Sequence, residues 1–169
     1  MNNLALRILT ALFGVGAIIA ATVISPWSFA VIFALIMVLT LKEFYGLTKN
    51  AGRSPYEVWG LGFALITYAL FFFFFQFELS AELFWLLPAL FAVVFIYPLQ
   101  AIKTSHAINC LAVTTLGVVY IALPFSLIHS IGFIEGEYSY VLILGLLFLQ
   151  WANDTGAYFV GKAIGKRKL

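Results

Sequence analysis

The chain has 169 residues, of which 64% are hydrophobic, 18% aromatic and only 9% charged, with a formal net charge of +2. A water-soluble protein needs about 25% charged residues, and the mean hydropathy here is +1.08, so a soluble globular domain is excluded and lipid is the expected solvent. The small net charge gives no argument for a nucleic-acid partner, and a single cysteine, Cys110, rules out an internal disulfide.

A membrane crossing takes about 20 residues at a rise of 1.5 Å each, which leaves room for at most about seven. Six apolar segments follow one another with short gaps, and the expectation is one all-α polytopic bundle forming a single transmembrane domain over residues 1–169. The first segment covers residues 4–24; its opening resembles a signal peptide, but no small-x-small cleavage site follows, so it is expected to stay as a span. The second covers 27–47, after Ser25-Pro26, and ends in K-E-F-Y-G-L-T-K-N-A-G-R, where Gly46, Asn50 and Gly52 suit termination. The third, 58–77, holds five consecutive phenylalanines, Phe71 to Phe75, read as packing. The fourth, 83–102, contains Pro88 and Pro98 and is expected to kink. The fifth covers 108–133, with Cys110 read as a buried, inert thiol, and the sixth 138–164.

Charge gives an independent check, because cytoplasmic loops are enriched in Lys and Arg. With the N-terminus in the cytosol and six spans, Arg7, Lys42, Lys49, Arg53, Lys103, Lys162, Lys166, Arg167 and Lys168 all fall inside. The loops holding Glu78, Glu82, Glu135 and Glu137 then fall outside. Five or seven spans break this segregation. The expected location is the cell membrane, crossed several times, with both termini cytoplasmic.

Asp154 is the chain's one aspartate, and it lies in the apolar sixth segment. An ionised group at the bilayer centre costs about 3 kcal/mol or more, which makes an intramembrane acid a candidate functional residue. The topology moves it toward the cytoplasmic end of its helix. Helical spacing aligns it with Trp151, Tyr158, Gly161 and Gly165, a stripe that also suits a close helix contact. Four cations follow between Lys162 and Lys168; such clusters fix topology or touch anionic headgroups, and an acid beside them also suits metal-assisted phosphate chemistry. Glu43 next to Lys42 reads as an interfacial ion pair, His129 as a packed polar residue and His106 as a solvated loop residue. No P-loop, G-x-S-x-G, H-E-x-x-H or dinucleotide fingerprint is present.

The closing stretch reads Asp154-Thr155-Gly156-Ala157-Tyr158, Gly161-Lys162 and Gly165-Lys166-Arg167-Lys168-Leu169. It resembles the CDP-diglyceride synthetases, or phosphatidate cytidylyltransferases, over about nineteen residues from Trp151. A Lys-Glu-Phe after the second span is similar to the same family's N-terminal half. The resemblance implies a nucleotidyltransferase of phospholipid biosynthesis that converts CTP and phosphatidate to CDP-diacylglycerol and pyrophosphate with Mg²⁺. Asp154 would then be catalytic and hold the metal, and Asn153, Tyr158, Lys162, Lys166 and Lys168 would bind substrate. Expected partners are CTP, phosphatidate, membrane lipids and a second copy in a homodimer. Family members continue past the equivalent of Leu169 into a Ser-Pro-Lys-Lys-Thr-x-Glu-Gly loop and an Asp-Arg-x-x-Asp element. One aspartate cannot supply a several-carboxylate metal centre, so this chain is expected to be an N-terminal portion, inactive alone. The competing readings are a non-catalytic assembly or transporter-like membrane protein and a CTP-using membrane kinase acting on polyprenol-type alcohols.

Overall fold

Ser25 has extended backbone, with φ −167° and ψ 161°, its Oγ accepts the Ser28 N–H at 3.1 Å, and Pro26 opens the next helix. Helix α1, Asn3–Ile24, therefore stops, and α2, Pro26–Asn50, starts one residue later. Ser28 Oγ reaches back to the Ala21 carbonyl at 2.6 Å and fixes the angle between them. Replacing Ser25 by Ala is expected to lower stability by about 1 kcal/mol, measured by thermal unfolding in detergent.

This computed structural model describes residues 3–89, 91–92 and 105–164. Among the described residues the chain is all helix, without strands. Helix α2 runs through Gly46 and stops at Ala51, where Gly52 takes a left-handed φ of +75° that only glycine adopts without strain. Of the three residues expected to end this helix, Gly46 thus lies inside it. Helix α3, Glu57–Gln76, follows, and Lys49 pairs with Glu57 across the turn. Both partners are solvent-accessible, so Glu57→Gln should change stability by less than about 1 kcal/mol, again by thermal unfolding.

Residues Ala81–Trp85 form a 3₁₀ turn rather than the α-helix expected there, with helical residues at 86–89 and 91–92. The rest of the predicted fourth span, with Pro98, falls outside the described residues, as do Lys103 after it and Lys166, Arg167 and Lys168. Helix α4 comprises Ser105–Gly117, a π-turn at Val118–Ala122 and Leu123–Gly132. Pro124, just after the π-turn, contributes no N–H to the ladder. Helix α5 is Tyr140–Ile164.

The core is built on one stripe of α2. Phe29, Phe33, Met37, Leu41 and Tyr45 recur every four residues, all buried, and pack with Ala64 and Tyr68 of α3, Ile121 and Ala122 of α4 and Ile143 of α5. The other faces carry exposed Leu12, Phe13, Val31, Leu35 and Leu39, as expected of surfaces solvated by lipid. Three buried or half-buried tyrosines tie distant segments together: Tyr45 Oη donates to the Thr114 carbonyl at 2.9 Å, Tyr68 Oη to the Ala30 carbonyl at 2.9 Å and Tyr138 Oη to the Thr22 carbonyl at 2.8 Å. Cys110 is a buried free thiol. His129 is fully buried against the rings of Phe29, Tyr68 and Phe72, a packed residue as its sequence context implied. By length and composition, Pro26–Asn50, Glu57–Gln76 and Ala107–Gly132 are able to cross a membrane, and Leu9–Ile24 is a shorter apolar helix.

Candidate functional site

Helix α5 is anchored at one end and bare at the other. Ile143 is fully buried in the core and Trp151 half-buried against Phe148, with ring centroids 5.5 Å apart, whereas every residue from 152 to 164 is exposed. The bare half carries the candidate residues. Four-residue spacing puts Gln150, Asp154, Tyr158 and Lys162 along one line, each step a rise of about 6 Å. Gln150 Nε2 donates to Asp154 Oδ1 at 3.1 Å. Tyr158 is 65% exposed, and Asn153 and Lys162 are exposed as well. One helix face therefore presents a carboxylate, a phenol and an ammonium in sequence, all open to a substrate. Gln150 is no part of the motif that marks Asp154, and the sequence signal for this pair is its position four residues before the carboxylate.

Of the two glycines in the stripe, Gly165 lies outside the described residues, and a Cβ placed at Gly161 meets nothing within 4 Å, so no close helix contact is made there among the described residues. Glu43 and Lys42 are exposed near the end of α2, and among the described residues the ion pair there is Lys49 with Glu57. No group of three or more His, Cys, Asp or Glu side chains lies together among the described residues. Mg²⁺ demands near-octahedral oxygen coordination. Asp154, with its neighbouring amide nitrogen turned toward it, offers one carboxylate and does not fit a metal site unaided.

The sequence profile of the Cytidylyltransferase family matches residues 5–169. The chain belongs to this family. The match runs through Asp154 and the basic end, in agreement with the resemblance carried by that segment to the CDP-diglyceride synthetases. A phosphatidate cytidylyltransferase of Bacillus subtilis (strain 168) is 34% identical over 82 residues, which are 48% of this chain and 30% of that protein. The matched stretch thus spans less than a third of the relative's length. No solved structure matches the chain. Family membership together with three long apolar helices makes this cytidylyltransferase-family chain a membrane protein.

Proposed function

We propose that the chain is the N-terminal part of a phosphatidate cytidylyltransferase of the cell membrane, with six crossings and both termini in the cytosol. In the reaction a phosphate oxygen of phosphatidate attacks the α-phosphorus of CTP, the bond from that phosphorus to the bridging oxygen of the β-phosphate breaks, and pyrophosphate leaves. The observation that carries the reading is the family match extending over the exposed line of Asp154, Tyr158 and Lys162.

Negative charge builds on the transferring phosphate and the leaving group, so positioned cations and hydrogen-bond donors are what the reaction asks of a protein. Lys162, with Lys166 and Lys168 after it, would neutralise phosphate oxygens. Tyr158 and Asn153 supply neutral donors that orient nucleotide or lipid phosphate. Asp154 is the carboxylate this chain would lend to a Mg²⁺ site whose other ligands come from elsewhere, and Gln150 holds it in place.

A chimera joining residues 1–169 to the C-terminal part of a complete phosphatidate cytidylyltransferase tests the reading. It is expected to form CDP-diacylglycerol from CTP and phosphatidate, while the 169-residue chain alone does not. A well-folded chimera without turnover would leave the chain as a non-catalytic membrane component. Topology is checked separately in a Cys110→Ala background: a cysteine at Glu135 should react with an impermeant maleimide in intact cells and one at Arg53 only after permeabilisation, and the reverse pattern overturns the orientation.

A further inference from the structure

The α3–α4 end remote from the Lys49–Glu57 turn holds a cavity that the cytidylyltransferase reading does not use. Helix α3 closes with the Phe77 N–H on the Phe73 carbonyl at 3.0 Å and the Leu79 N–H on the Phe74 carbonyl at 3.1 Å, which places Glu78 at a left-handed φ of +49°. That position after a helix is normally glycine, and a side chain there costs about 1–2 kcal/mol. In the facing turn the left-handed position is held by a glycine, Gly136, at φ +90°. Between the two turns lies a cavity of about 260 Å³ bounded by Phe74, Phe75, Glu78, Leu79, Phe133 and Gly136. Phe75 and Phe133, both in its wall, stack on each other with centroids 6.3 Å apart and planes 13° from parallel. The two connecting segments, residues 77–86 and 133–139, contain Glu78, Glu82, Glu135 and Glu137 and no lysine or arginine.

We propose that this cavity binds an ammonium group, of the kind carried by zwitterionic phospholipid headgroups and by small free amines. Aromatic faces present negative charge density to a cation within about 6 Å of the ring centre. A single carboxylate with no basic neighbour in either segment completes the match in charge. A divalent metal is a poorer match, since it requires several oxygens at fixed distances. The cavity is also separate from Asp154, because α5 rises about 21 Å between Tyr140 and that residue.

Saturation-transfer NMR on the protein in phospholipid-free detergent, with choline and with its neutral isostere 3,3-dimethylbutan-1-ol, tests this. Choline methyl protons should receive saturation and the isostere should not. Glu78→Asn removes the charge while tolerating the left-handed backbone, and should weaken choline binding about tenfold or more with thermal stability kept. Equal signals from the two compounds, or undiminished choline binding by Glu78→Asn, overturn the proposal. Repeating the titration in nanodiscs identifies the source: competition in phosphatidylcholine discs but not in phosphatidylglycerol discs supports a lipid headgroup, and equal choline signals in both support a free amine.

Discussion

Asp154→Asn in the chimera should lower CTP-dependent formation of CDP-diacylglycerol by about 100-fold or more, the scale of losing one preorganised electrostatic contact to a reacting phosphate. The substitution keeps the shape of the side chain and one acceptor oxygen, and residue 154 is exposed with Gln150 bonded to it. Folding should therefore be untouched, and a change in activity reports on chemistry alone. If Asp154 lends a carboxylate to magnesium, the residual activity should also need more Mg²⁺ for half-saturation. Gln150→Ala should have a smaller effect, a few-fold, because it acts through the orientation of Asp154. Unchanged turnover and unchanged metal dependence in Asp154→Asn would remove this residue from the active site.

Gly60→Ala is the substitution expected to damage the fold most for its size. A Cβ at Gly60 would fall inside the Tyr45 hydroxyl, and one at Gly117 would fall 2.6 Å from Tyr45 Cε1. The ring cannot retreat: Tyr45 is fully buried and its hydroxyl is committed to the Thr114 carbonyl. Thr114 in turn donates from Oγ1 to the Cys110 carbonyl at 2.7 Å and accepts the Tyr56 N–H at 2.8 Å, so the ring, the α2–α3 turn and α4 are locked together. The expected loss is about 3 kcal/mol, the upper end for overpacking. Gly62→Ala, on the same helix with open space around it, should instead be neutral or gain up to about 1 kcal/mol. Placing Gly60→Ala in a Tyr45→Leu background should remove most of its cost, a coupling that thermal unfolding of the four variants measures directly.

Much of the helical layout was readable because lipid imposes a simple demand, long apolar runs broken by polar turns. Ser25-Pro26 marks the break between the first two segments, which the structure shows to be a helix cap, and the buried state of Cys110 and His129 followed from their apolar surroundings. What escaped the sequence depends on contacts between distant residues. Gly46 and Gly52 look alike as helix stops, and only the backbone shows that Gly52 bears the left-handed turn. The π-turn at Val118–Ala122 follows Gly117, the residue on which the Tyr45 ring rests, and no local pattern announces a side chain arriving from 72 residues away. Glu78 takes a conformation in which glycine is the usual choice, so propensity pointed elsewhere. At the candidate site the motif itself was legible, while its setting was not. The stripe that reads as a helix contact is open along residues 152–164.

The position of the label transferred from CTP tests the central claim most directly. Supplied with phosphatidate and CTP carrying ³²P at the α-phosphate, the chimera should place the label in the lipid fraction as CDP-diacylglycerol, with pyrophosphate released in equal amount, and CTP labelled at the γ-phosphate should leave the lipid unlabelled. Label entering lipid from the γ-phosphate, with CDP as the co-product, would show a kinase and contradict cytidylyl transfer.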